Sequence, residues 1–132
     1  MSDTTTPQPD SIIVADSEVI IRNVLSDYLR QCGYKVIDAA TSDEVIEILV
    51  NGAGPFAAVL SDADLGGSMN AFSLRFWVRE KRPEIHFILA GNVDVAAKAA
   101  GTLCDQGPHL KRPYDPQHVM THIKQLLSAA RK

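Results

Sequence analysis

No apolar run in this 132-residue chain approaches the length of about 18 residues that a membrane-spanning helix needs. The opening "MSDTTTPQPD" has neither the basic nor the apolar region of a secretory signal, so the chain reads as cytoplasmic. It also lacks a basic block: 13 lysines and arginines stand against 16 acidic residues, a net charge of -3, which leaves no electrostatic footprint for nucleic acid. Cysteine is scarce. Cys32 and Cys104 lie too far apart in sequence for a metal knuckle or a redox pair, and they read as two reduced thiols.

What is present suits one soluble domain. A composition of 45% apolar and 22% charged residues is ordinary for a globular fold, and 14.4 kDa is enough to bury a core without staples. Residues 1–10 are polar, with Pro7, Pro9 and three consecutive threonines, and read as a flexible tail; the domain is expected over 11–132. From Ser11 onward, short apolar runs alternate with amphipathic helical stretches.

The runs "SIIVA" (11–15), "KVIDA" (35–39), "AAVLS" (57–61), "IHFILA" (85–90) and a short "HLK" (109–111) are expected as strands. The first is apolar throughout, as in a strand covered on both faces. Helices are expected over about 18–32, from Thr41 to about residue 51, over 71–82 and from Asp115 to about Ala130. The first buries Ile21, Val24, Leu25, Tyr28 and Leu29. Thr41 and Glu44 form a capping box for the second. The third buries Leu74, Trp77 and Val78, and the last carries Val119, Ile123, Leu126 and Leu127 on one face. The Ala-rich residues 93–106 read as a weak helix interrupted by Gly101. Strands and helices in this alternation predict a doubly wound parallel α/β sheet, in which ligands sit beyond the carboxyl ends of the strands.

Chemistry is therefore sought where strands end, at Asp16-Ser17-Glu18, Asp62-Ala63-Asp64, Ala90-Gly91 and Lys111-Arg112-Pro113. Asp16 and Asp62 would share one pocket if their strands are neighbours, and like charges that close call for a cation. Mg²⁺ with oxygen ligands is the simplest choice. A phosphate-cradling loop, as in a flavodoxin-like cofactor binder, is disfavoured because "VADSEV" offers acids and no glycine.

Over about residues 11–130 the chain resembles the receiver domain of two-component response regulators, through "IIVADSE", "VLSDADLGGSMNAFSL" and "LKRPYDP". The resemblance implies a five-stranded sheet of order 2-1-3-4-5. It also implies Mg²⁺ as cofactor, held by Asp16, Asp62 and the backbone carbonyl of Asp64, with Asp62 as phosphoacceptor. The phosphoryl donor would be a sensor histidine kinase or a histidine phosphotransfer protein. A stand-alone receiver would signal through a downstream target protein, with no direct nucleic-acid or membrane contact and no enzymatic activity beyond turnover of its own Asp62 phosphate.

Departures from the family pattern cluster in the same site. Ser17 replaces the second acid of the first-strand pair, Ala90 replaces the Ser/Thr hydroxyl, and Arg112 replaces the lysine unless Lys111 reaches in. Arginine keeps the charge but not the geometry of an ammonium. His109 stands at the switch-aromatic position, and the Arg112-Pro113 bond matches one that is commonly cis in the family. An Asp64 side chain near the metal is one way to restore the charge lost at Ser17. The alternative function is a pseudo-receiver, an interaction module that works without phosphorylation. His118 and His122, at i and i+4, lack a third ligand nearby, and Phe72, Phe76 and Trp77 read as core and partner surface.

Overall fold

All five residues of β1 (Ser11–Ala15) are buried, a pattern open to a strand only at the centre of a sheet covered on both faces. The computed structural model describes residues 10–52, 54–107 and 113–130. In chain order β1 is followed by α1 (Val19–Gln31), β2 (Lys35–Ala39), α2 (Ser42–Val50), β3 (Phe56–Asp62), α3 (Ala71–Lys81), β4 (His86–Ala90), α4 (Val93–Asp105) and α5 (Pro116–Ala130). The described strands form a parallel sheet of order β2-β1-β3-β4. The chain leaves β1 for β2 on one side and returns to β3 on the other, so the order reverses between β1 and β3. Such a reversal opens a crevice beyond the strand ends. The expected order 2-1-3-4 is found, while the expected fifth strand (109–111), His109, Lys111, Arg112 and the Arg112-Pro113 bond lie outside the described residues.

Alternation along the strands splits the interior in two. Ile12 and Val14 of β1 join Ala58 and Leu60 of β3 against α1, α4 and α5. Ile13, Ala15 and Val59 point the other way, onto Val45 and Leu49 of α2 and Leu74 and Val78 of α3. This is the period-two geometry of a strand acting on a run with no polar positions.

The helix starts follow local chemistry, with one departure from expectation, at the capping box of α2. Glu18 caps α1, its carboxylate accepting from the Ile20 N–H at 3.1 Å. Thr41 caps α2 by accepting from Glu44 N–H, but the Glu44 carboxylate reaches past the cap to the Ala40 N–H, at 2.8 Å. The Gly-rich turn after β3 is fastened to the start of α2. Ser42 N–H donates to the Gly66 carbonyl at 2.8 Å, Ser68 N–H to the Asp43 carboxylate at 3.0 Å, and Met69 N–H to the Ser42 hydroxyl at 3.2 Å. Gly67 has φ of 122°, and a Cβ there would press on the Ser42 backbone, so the turn needs glycine for both conformation and space.

Two further expectations are corrected. α4 is continuous, and Gly101 does not interrupt it; Gly101 is buried where a Cβ would overlap the Pro116 ring, so the residue sets the close approach of α4 and α5. Cys32 and Cys104 are joined in a disulfide with Cα atoms 5.4 Å apart, not left as reduced thiols. Their separation of 72 residues is bridged by the fold, because the C-cap of α1 meets the last turn of α4. On α3 the buried residues are Ala71, Leu74 and Val78; Trp77 is only partly buried, while Phe72 and Phe76 are exposed. On α5, Val119 and Ile123 are buried, Leu127 packs partly against them and Leu126 is exposed.

Candidate functional site

The strand ends build the site by register. Ala15 pairs with Ser61, and Asp62 pairs with Ala90. Asp16 and Asp62, each following one of the paired residues Ala15 and Ser61, therefore line the same cavity of about 200 Å³, together with Ala90, Gly91 and Asn92. Its walls are apolar, formed by Ile21 and Leu25 of α1, Leu60, and Val93 and Ala96 of α4.

Asp16 is 5% exposed. Its backbone N–H donates to the Ala39 carbonyl at 3.0 Å, which keeps the residue tied to β2 past the end of the strand. Its carboxylate accepts from the Glu18 N–H at 2.9 Å, so it braces the turn into α1 without being the helix cap. Burial pushes the Asp16 carboxyl up to about 6, partly offset by the Glu18 N–H; the negative charges of Asp62 and Glu18 raise it further and the Arg22 cation opposes them. Asp62 is also raised, first by burial, while the Asp64 N–H lowers it and the Asp64 charge raises it. The pocket thus holds two carboxylates that lack a full counter-charge, the condition that favours a bound cation.

Arg22 is the residue that sequence reasoning missed. Its guanidinium donates to the Asp16 backbone carbonyl at 2.8 Å, fixing the bend between β1 and α1. The available signal was a single cation among the apolar residues of the first turns of α1. Asn92 was missed too: it caps α4, accepting from Val95 N–H at 2.9 Å, and lines the cavity. Ser17 is exposed at the start of the turn. Asp64 is exposed as well and is not among the cavity-lining residues, so its side chain is not brought in beside Asp16. Ala90 is in the cavity wall, in register with Asp62, and its carbonyl accepts from Ala63 N–H at 2.9 Å. Arg112 and Lys111 lie outside the described residues.

Among the described residues no three His, Cys, Asp or Glu side chains gather around one point. The donor set on offer is two carboxylates and backbone carbonyls. That fits Mg²⁺, which is commonly bound by one or two carboxylates and keeps several waters. It is not the cysteine- and histidine-built set of a structural zinc site.

No protein-family model matches the chain. Over 123 residues it is 24% identical to the transcriptional regulatory protein AruR of Pseudomonas aeruginosa, an alignment covering 91% of this chain and 50% of that protein. The chain spans about half the length of that relative. Among solved structures it is similar to the signal receiver domain of an HD domain-containing protein from Pseudomonas fluorescens. The TM-score there is 0.61 at 20% identity, covering 98% of this chain and 94% of that one. It is also similar to the response regulator TrrA from Thermotoga maritima, solved in complex with Mg²⁺ and BeF, with a TM-score of 0.55 at 24% identity over 61% of this chain and 67% of that one. Parallel order β2-β1-β3-β4, acids at the ends of β1 and β3, and these likenesses agree: the chain has the receiver fold of two-component response regulators.

Proposed function

We propose that this receiver takes a phosphoryl group on the Asp62 carboxylate and passes the change on through protein contacts. The observation that carries the reading is the shared cavity of Asp16 and Asp62 at the reversal point of the sheet. In the transfer, an Asp62 carboxylate oxygen attacks phosphorus, the P–O bond forms as the P–N bond of a phosphohistidine breaks, and the nitrogen leaves with its electron pair and is protonated. Both reactants are anionic, so the barrier is lowered mainly by positioning and charge neutralisation. Mg²⁺, held by Asp16, Asp62 and the Asp64 backbone carbonyl, would supply that positive charge. Asp16, buried and braced by the Glu18 N–H and the Arg22 contact to its carbonyl, keeps the acid end of the site fixed while Asp62, nearer solvent, faces the donor. The donor is a sensor histidine kinase or a histidine phosphotransfer protein, and the read-out is a downstream target protein.

A second reading has its own observation. Beside Asp62 on the adjacent strand stands the Ala90 methyl, which cannot hydrogen-bond a phosphoryl oxygen, so the chain could work as a pseudo-receiver that binds its partner without phosphorylation. One titration separates the two. Amide NMR with Mg²⁺ and beryllofluoride, the ligand in the TrrA complex, is expected to give saturable shifts at Asp16, Asp62 and Asp64 that vanish in Asp62→Ala. No shift at millimolar Mg²⁺ would reject phosphoryl transfer in favour of the pseudo-receiver.

A further inference from the structure

The three most exposed large apolar side chains among the described residues are Phe76 (68%), Val50 (67%) and Phe72 (56%). All three sit on α2 or α3, the two helices that cover one face of the sheet. Both pack onto that face and are tied to each other at both ends. The turn before α3 is bonded to Ser42 and Asp43 at the start of α2, and Arg82 at the end of α3 donates to the Leu49 carbonyl at 3.4 Å. Their outer faces differ in charge: α2 exposes Asp43, Glu44 and Glu47 and has no base, while α3 carries Arg75, Arg79 and Lys81 against the single acid Glu80. On α2, Asp43, Glu47 and Val50 recur at i, i+4 and i+7 and are exposed; on α3, Phe72, Phe76 and Arg79 do the same, with the Arg75 guanidinium 5.7 Å above the Phe72 ring.

We propose that this face is where a second copy of the chain docks, through a twofold contact that sets the acidic stripe of α2 against the basic aromatic stripe of α3 in each direction. Exposed aromatics beside arginine are the composition of an interface core more than of ordinary surface. The charge pattern selects the occupant. An anionic membrane or nucleic acid drawn to Arg75 and Arg79 would also meet Asp43, Glu44 and Glu47 on the neighbouring helix, whereas a copy of the same face supplies both signs. A twofold axis brings each stripe to its complement with one patch, which is the isologous closure common to homodimers. The contact lies on the side of the sheet away from α1, α4 and α5, and it does not depend on phosphorylation of Asp62.

Sedimentation equilibrium of the full chain at low salt tests it. A dimer that weakens as salt is added is expected, with Arg79→Glu alone and Glu47→Lys alone each loosening it by about tenfold or more. An equimolar mixture of the two variants should recover the lost affinity, because every reversed charge then faces its opposite. Phe76→Ser, which removes apolar area without altering charge, should give the same loss by a separate route. The substituted residues are exposed, so unchanged circular dichroism is expected for all three. The proposal is overturned by a wild-type chain that stays monomeric at concentrations on the order of 1 mM. It is equally overturned by a dimer indifferent to all three variants, or by a mixture no tighter than its components.

Discussion

Asp16 and Asp62 close the same end of two hydrogen-bonded strands, and Asp16, the more deeply buried, has a carboxyl raised to about 6 by burial first and by the charge of Asp62 after it. A raised folded-state value for an acid means that the folded chain holds its proton more tightly than the unfolded one. The contribution to stability is therefore complete below about pH 3.8 and is lost as pH rises through 6. The difference amounts to about 3 kcal/mol for a residue so little exposed. Asp16→Asn, neutral at every pH, is expected to raise the urea midpoint at pH 7 in the absence of metal and to flatten the pH dependence of stability between 4 and 6.

Mg²⁺ should act on the same quantity from the other side. A cation that binds the folded chain stabilises it by mass action, so added Mg²⁺ is expected to raise the melting temperature of the wild type and not of Asp62→Ala. A thermal shift identical in the two proteins would remove Asp62 from the ligand set.

The Cys32–Cys104 bridge closes a segment of 72 residues. In the chain-entropy picture a loop of that length is worth about 4 kcal/mol. Protein unfolded without reductant should show no titratable thiol, and Cys32→Ala or added dithiothreitol should lower the unfolding free energy by a few kcal/mol, measured in urea.

Gly67→Ala tests the strap between the turn and α2. A positive φ costs a side-chain-bearing residue about 1–3 kcal/mol, and the added methyl also meets the Ser42 backbone. Destabilisation of at least about 2 kcal/mol is expected, with the amide signals of Ser42 and Ser68 shifting together.

Gly101→Ala sets two effects against each other. Helix propensity favours alanine by about 1 kcal/mol, but the methyl would overlap the Pro116 ring, which has little freedom to withdraw. Packing is expected to win: the variant should melt below the wild type, and a gain in stability would show that α5 can shift away from α4.

Much of this was legible in the residues. β1 announced itself by four apolar residues in a row, Ile12 to Ala15, and Thr41 marked a helix start by local chemistry that operates before any tertiary contact forms. That Asp16 and Asp62 share a pocket was conditional on β1 and β3 being neighbours, an order that the receiver resemblance implied and that the alternation of strands and helices alone did not. Other features depend on contacts distant in sequence and carry no local signal. Gly101 reads as a helix defect until Pro116 is placed against it, and Cys32 and Cys104 read as unrelated until α1 and α4 are packed. Phe72 and Phe76 occupy helical positions that composition alone assigns to a core, and only their angle to Leu74 and Val78 turns them outward.

The alternation of β1 has a mechanical consequence. Ile12 and Ile13 are neighbours along the chain, yet one belongs to the body cross-linked by the disulfide and the other to the body that shows its aromatic rings to solvent. The sheet is a partition between two separately packed compartments. The disulfide ties only the side that carries α1 and α4, and neither of its sulfurs reaches the compartment under α2 and α3.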